Sequence, residues 1–302
     1  MDGILIIDKP VGPTSHDVVA RVRRILKTKR VGHTGTLDPF ATGVMVILVG
    51  QATRLAQFLD KDEKEYKALL RFGAETDTGD VTGARTAECG LPEEELSAVL
   101  AETKWEQVLQ KFRGEIDQVP PMYSAKKVEG KKLYELARKG VEIKRRSVRV
   151  NISALEIENE DHIRTRDHTL DLRVVCSAGT YIRTLAEEIG RAVGVGAHLA
   201  ELRRTRAGRF DISKAATLEA LEVASDPPTS LIPMSEAVTH LPGVVLDDDR
   251  ILKTRNGLST RFPDAQLANG AMVRMLDSRA DLIAIGIYNA EEKTVQPKVV
   301  LG

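Results

Sequence analysis

Cysteine is scarce in this sequence. The two that occur, Cys89 and Cys176, stand far apart and in no CxxC pairing, which leaves no basis for a disulfide framework or a cysteine-built zinc site. Long apolar runs are missing as well: Val44–Val49 (VMVILV) has the length of a strand, far short of a bilayer span. The opening MDGILIIDKPVG holds only the short apolar run Ile4–Ile7, ended by Asp8, with neither basic leader nor small-residue cleavage site. A signal peptide is therefore not expected, and a cytoplasmic protein is. No glycine-rich loop ends in Gly-Lys-Ser/Thr, and Gly190, Gly194 and Gly196 do not spell GxGxxG, so dinucleotide and P-loop sites are set aside. HExxH and GxSxG do not occur, and the histidines form no ligand set. The expectation is a reaction without cofactor or metal, run by ordinary side chains. Internal repeats and low-complexity tracts are absent too.

Net charge is also lacking, with 44 basic residues against 44 acidic ones, yet the distribution is uneven. Arg21, Arg23, Arg24, Lys27, Lys29 and Arg30 share one short window without an acid. A second basic run extends from Lys126 to Arg149 and includes Lys131 and Lys132, and a third is Arg203, Arg204, Arg206 and Arg209. The balancing acids collect at 60–65, 93–95 and 247–249. Each cluster alone is compatible with a solvated face, but three together favour a phosphate backbone as partner. Arg21, Arg24, Lys131, Lys132 and Arg203 are the candidate contacts.

What is present is the composition of a folded enzyme: 302 residues, 42% hydrophobic and 29% charged, enough for one large domain or two unequal ones. Ile4–Ile7 is expected as a buried strand. After a turn, a helix capped by Thr14 or Ser15 follows, with Val18, Val19, Val22, Ile25 and Leu26 on one side and basic residues on the other. Further strands are expected at Lys64–Phe72, Val148–Ile157 and Thr169–Val175. Helices are expected within Leu91–Phe112, over Lys131–Lys139, and after GTYIR as far as Val193. HLAELRRTRAGRF reads as a short helix and a basic strand. The stretch from Gln118 to Arg146, basic and bounded by Pro and Gly, reads as a projecting flap. Pro227, Pro228 and Pro233 mark a linker, and beyond Leu241 short strands separated by glycines suggest a small all-β appendage. The domain expectation is 1–240 and 241–302.

The chemistry centres on Asp38. Gly32, Thr34, Gly35 and Thr36 precede it with a freely turning backbone, Pro39 biases it away from helix, and the buried Val44–Val49 strand follows. Local features leave it open whether Asp38 forms a turn or catalyses. Tyr66 and Tyr181 at strand edges are equally compatible with core positions, His33 with a structural loop residue, Leu202 with plain core and Arg183 with a surface ion pair.

Five segments in order, GHTGTLDPFATG, KEYKALLRFGAETDTGD, VPPMYSAKKVEGKKLYELARKG, CSAGTYIRTLAEEIG and GAHLAELRRTRAG, resemble the TruB family of stand-alone bacterial tRNA pseudouridine synthases. DKPVGPTSHDVV at the start is similar to the same family, and the resemblance covers about residues 3–240. It implies an α/β (α+β) catalytic domain with a mixed, largely antiparallel sheet flanked by helices, plus a small β-rich, PUA-like C-terminal domain. It implies isomerisation of uridine-55 in the tRNA T loop, by base flipping, without cofactor, metal or protein partner, in a monomer with no membrane association. Residue by residue, it makes Asp38 the catalytic aspartate, Arg183 its ionic partner, holding the carboxyl low, and Tyr66 the aromatic that stacks on the base. It assigns His33 to the space left by the flipped nucleotide, Tyr181 and Leu202 to the base pocket, and Lys9 to support of the Asp38 loop. Rival readings are the guide-RNA-dependent branch of the superfamily and a non-catalytic tRNA chaperone on the same fold.

Overall fold

The computed structural model describes residues 1–301 apart from 125, 129, 138, 142, 159–162, 165–166, 225–229 and 264–265; at 127, 128, 131, 132, 134, 163 and 164 it describes the backbone only. Pro227 and Pro228 of the expected linker, Arg138 of the second basic run, and the side chains of Lys131 and Lys132 therefore lie outside the described residues. Among those described, no helix is long and apolar enough to cross a membrane.

A ten-stranded sheet organises the larger part of the chain. Its main path runs Gly3–Lys9, Thr42–Val49, Ala197–Ala207, Lys64–Phe72, Thr169–Cys176, Val148–Ile157 and Gly114–Gln118. Neighbours on this path are antiparallel except at one seam, where Ala197–Ala207 runs parallel to Thr42–Val49 through Arg203↔Thr42 and Arg204↔Gly43. The sheet is thus mixed and largely antiparallel. The apolar run Val44–Val49 is continuous because both of its faces are covered. Val44, Val46 and Leu48 join Ile4 and Ile6 in one cluster, while Met45, Ile47 and Val49 join Leu5, Ile7 and the apolar side of helix Ser15–Ile25 in another. Each such side chain contributes roughly 1.5–3 kcal/mol of burial, so this strand is among the firmest elements available to a neighbouring loop.

Helix Ser15–Ile25 starts with a capping box in which the Thr14 hydroxyl accepts from the Asp17 amide at 3.1 Å and the Asp17 carboxylate accepts from the Thr14 amide at 2.8 Å. Helix Ile182–Val193 packs Ile182, Leu185, Ala186 and Ile189 against Leu70, Leu170, Leu172 and Trp105. It ends at Gly194, whose φ of 90° only glycine adopts at low cost.

Three expectations need correction. The segment expected as a short helix and a basic strand is one strand, Ala197–Ala207, because its backbone pairs with Lys64–Phe72 from Ala197↔Phe72 to Ala207↔Lys64, interrupted by two register shifts. Central pairing outweighs the weak helical preference of Leu-Ala-Glu-Leu. The helix of the flap spans Leu133–Ala137 rather than Lys131–Lys139, since Lys131–Lys132 pairs with Lys127–Val128 as a small hairpin. The C-terminal part is β-rich but not all-β. Its five-stranded sheet runs Gly243–Val245, Met272–Leu276, Leu282–Asn289, Thr294–Val300 and Thr260–Arg261, accompanied by helix Asp248–Arg255. The acids at 247–249 are that helix's cap and first turn, with the Asp247 carboxylate accepting from the Arg250 amide at 2.9 Å. Leu276, Leu282, Ile285, Val299 and Leu301 share a hydrophobic cluster with Ile4, Ile6 and Val46.

Candidate active site

The Asp38 loop is held from below by residues far away in sequence. The Ser15 hydroxyl is buried and exchanges hydrogen bonds with the Leu37 backbone, accepting at 2.8 Å and donating at 3.0 Å. The Lys9 ammonium, wholly buried, donates to the carbonyls of Pro10, Pro39 and Ala41 at 2.9, 3.2 and 2.7 Å. Arg204 donates from Nε to the Val44 carbonyl at 2.7 Å and from Nη2 to the Gly35 carbonyl at 3.1 Å. Gly43, opposite Arg204 at the parallel seam, has φ 101°, and a Cβ there would lie 2.2 Å from the Arg204 carbonyl oxygen. Only glycine fits that crossing. The loop is therefore a clamped bracket on the sheet rather than a free surface turn.

From the other side comes Arg183, in the first turn of helix Ile182–Val193. Its Nε lies 3.0 Å from Asp38 Oδ2, Nη1 donates to the Thr78 carbonyl at 2.7 Å, and Nη2 donates to the Tyr123 carbonyl at 2.7 Å. A second acid, Asp80, stands 3.7 Å from Nη1 and is itself held by the Thr78 and Thr82 hydroxyls at 2.9 and 2.5 Å. The Arg183 side chain is 6% exposed and that of Asp38 35%, so the guanidinium is sealed while the carboxylate faces open space. Tyr181 is fixed by its backbone: its amide donates to Gln118 Oε1 at 2.7 Å, and Gln118 Nε2 donates to its carbonyl at 3.0 Å.

These groups surround a cavity of about 250 Å³, with Asp38, Tyr66, Tyr181, Arg183, Leu202 and Arg204 in its wall. That is below the range of pockets for drug-sized ligands and suits a single ring. Period two along Ala197–Ala207 puts Leu202 and Arg204 on the cavity side and turns Arg203 away.

The electrostatics differ from the expectation built on Arg183 alone. Burial pushes the Asp38 carboxyl above the ordinary aspartate range and Asp80 adds to this, while Arg183 and Lys9 pull the other way without reversing it. Burial also raises the Tyr66 phenol, with Arg204 opposing. Lys9 is lowered to about 8, chiefly by burial, against the pull of Asp38.

Of the remaining candidates, His33 does not line the cavity. Its Nδ1 accepts from the Gly35 amide at 3.2 Å, its ring meets His16 edge-on at 6.0 Å, and burial, then His16, then Arg204 lower its pKa. Arg21 does not line the cavity, and its guanidinium is forked onto Glu222 and Glu219. Arg203 is forked onto Asp8 at 2.7 and 3.1 Å. Both carry charge already matched by acids, which charge counting along the chain did not reveal. Arg24 is exposed beside Lys27 and Lys29. Sequence reasoning missed Arg204, Asp80 and Lys64 as parts of the site. Lys64 lines the cavity and donates to the carbonyls of Asp60, at 2.8 Å, and Asp62. A signal for Asp80 existed in the run Thr76–Gly83, where threonines spaced two residues from an Asp suit side-chain-capped turns.

The description "TruB family pseudouridylate synthase (N terminal domain)" fits residues 23–182, and "tRNA pseudouridylate synthase B C-terminal domain" fits 183–238. The chain belongs to the TruB family. It is a pseudouridine synthase, an isomerase, and the boundary between the two matched regions falls between Ile182 and Arg183, so this TruB-family site draws on both. The tRNA pseudouridine synthase B of Solibacter usitatus is 43% identical over 292 residues, covering 95% of each chain. That of Heliobacterium modesticaldum is 42% identical over 303 residues, covering 99% of this chain and 95% of its own. Among solved structures, an H/ACA ribonucleoprotein bound to a substrate RNA containing 2'-deoxyuridine aligns with TM-score 0.72 and 28% identity, over 99% of this chain and 85% of the other. A Cbf5-Nop10-Gar1 complex aligns with TM-score 0.71 and 30% identity, over 99% and 84%.

Proposed function

We propose that this enzyme isomerises uridine-55 in the T loop of tRNA to pseudouridine. The observation that carries this reading is the Asp38 carboxylate, 3.0 Å from a sealed guanidinium and open to a cavity of single-base size. A base inside folded RNA cannot reach that carboxylate, so the nucleotide must first be flipped out, at a cost of a few kcal/mol that stacking offsets. Tyr66 and Leu202 supply faces for the base, and Tyr181 flanks it. Asp38 then serves cleavage of the N1–C1′ bond. The freed uracil turns, C5 bonds to C1′, the C5 proton leaves with Tyr66 beside it, and a proton is taken up at N1. Atoms and charge balance without any co-reactant. Asp38 acts as the carboxylate, and Arg183 opposes the upward push of burial on it.

Residues 1–240 form the catalytic unit in this reading. His33 enters the space vacated by the nucleotide, and Lys9 fixes the Asp38 loop. The flap at 118–146, through Lys131 and Lys132, and Arg24 hold the RNA backbone. Residues 241–302 form a PUA-like RNA-binding domain. In this reading the enzyme works as a cytoplasmic monomer without a protein partner. Incubation with unmodified tRNA transcript and mapping of pseudouridine tests the proposal. Product at the T-loop uridine is expected, and its absence there would overturn the assignment.

A further inference from the structure

Ser124 sits at the root of the flap, next to Tyr123, whose carbonyl is held by Arg183 Nη2 at 2.7 Å. Its backbone amide donates to the Met122 carbonyl at 3.0 Å. The residue is 5% exposed and lines the same cavity as Asp38. Its hydroxyl is buried and meets no hydrogen-bond partner among the described residues. Several other polar side chains around the cavity are engaged. The Ser177 hydroxyl accepts from the Asn151 amide at 2.9 Å, that of Thr180 donates to the Ser177 carbonyl at 2.9 Å, and Lys64 and Arg204 are fixed on carbonyls as described.

A buried hydroxyl without a partner is costly, and one left so in a ligand cavity points to a partner that the ligand brings. Resting on the function proposed above, we infer that Ser124 Oγ hydrogen-bonds the polar edge of the flipped uracil and is a substrate-contacting residue of the site. The chemistry matches. Tyr66 and Leu202 offer faces and no in-plane partner for the base, whereas uracil leaving water brings a carbonyl acceptor and an N–H donor side by side at C4 and N3. A hydroxyl is able to serve either. The position matters as well: through the Tyr123 carbonyl the root of the flap is tied to Arg183, so the contact would link base capture to the ion pair that sets Asp38.

Two T-arm stem-loops test this, one with uridine at the target position and one abasic there. For Ser124→Ala, kcat/KM on the uridine RNA should fall about tenfold, the loss of one hydrogen bond, while affinity for the abasic RNA stays at the wild-type value. The free variant should melt no lower than wild type, because the hydroxyl removed has no partner among the described residues, and Ser124→Thr, which keeps a hydroxyl, should recover most of the activity. Full activity in Ser124→Ala, or equal weakening on both RNAs, would overturn the inference. If wild type itself binds the two RNAs equally, base capture in this cavity falls, and the proposed function with it.

Discussion

The Asp38 loop and the flap, which reaches the same cavity through Ser124, are held in different ways among the described residues. The Asp38 wall is held by long-range hydrogen bonds from buried groups: Lys9 onto Pro39 and Ala41, Ser15 onto Leu37, Arg204 onto Gly35 and Val44. Among the described residues, several of the flap's hydrogen bonds lie within the flap itself. The Leu133 amide donates to the Lys126 carbonyl at 2.9 Å, the Val141 amide to Leu136 at 3.0 Å, and Arg145 Nη1 to Pro120 at 3.2 Å. It is tied to the start of helix Ile182–Val193 by Gln118, on the Tyr181 backbone, and by the Tyr123 carbonyl, on Arg183. Bond-making chemistry tolerates placement errors of only about 0.5 Å, so the carboxylate belongs on the braced side. The clamp role proposed for the flap requires that it admit a folded RNA first.

The contrast is most sharply tested at Asp38. Asp38→Asn should lower pseudouridine formation by roughly 10³-fold or more while T-arm affinity stays within about tenfold, as a loss confined to the reacting state requires. Substantial residual turnover would mean that another group does the chemistry. Arg183→Lys keeps one charge but not three donor directions, and kcat should fall by about 10²-fold. The pH profile adds a second readout. Activity needs the ionised Asp38, whose pKa is raised by burial, so the rate should fall on acidification above the ordinary aspartate range. Weakening the Arg183 contact should move that acid limb further up. An acid limb that does not move would uncouple the two residues.

Lys9→Met leaves three carbonyls without their donor and should cost about 3 kcal/mol of stability by chemical denaturation. The native Lys9 pKa is about 8 against 10.5 for an ordinary lysine, so between these values the unfolded chain binds more protons and the group's contribution rises with pH. Wild type should therefore gain on Lys9→Met from pH 8 to 10.5. A constant gap would show that the ammonium is not strained by burial. On the flap side, Lys131→Ala with Lys132→Ala should leave kcat at saturation intact and flatten the salt dependence of binding by about 0.7–0.9 per lost phosphate contact. An unchanged slope would return both lysines to a solvated face. The smallest effect is expected for Arg21→Ala, whose exposed pairing with Glu219 and Glu222 is screened by solvent and contributes little stability, with RNA affinity unaltered. A clear loss of affinity would restore it as a contact.

Much of the framework was legible because it is written in local patterns. The doubly buried run Val44–Val49, the cap at Thr14 and the strand Lys64–Phe72 follow from periodicity and side-chain chemistry. That Asp38, Tyr66, Tyr181, Arg183 and Leu202 belong around one cavity was legible only through the resemblance of five segments to a known family; alone, each had an ordinary alternative. The missed parts share a cause. Arg203 and Arg204 look alike in the sequence, and which one faces the cavity depends on strand parity and on the pairing partner of Ala197–Ala207. Reading the Leu-Ala-Glu-Leu stretch as helix removed that parity altogether. Arg21 looked available because its acids, Glu219 and Glu222, lie some two hundred positions along the chain.

By itself, then, the sequence determined most of the elements outside Ala197–Ala207, the flap and the C-terminal part, and the family to which the chain belongs, since these depend on neighbours within a turn or a strand and on the order of motifs. Tertiary structure alone decided which charges are matched, whether Arg203 or Arg204 faces the cavity, that burial outweighs Arg183 at Asp38, and that the Ser124 hydroxyl has no partner among the described residues. Those properties depend on dielectric and on contacts between residues distant in the chain, and neither quantity exists until the strands have paired.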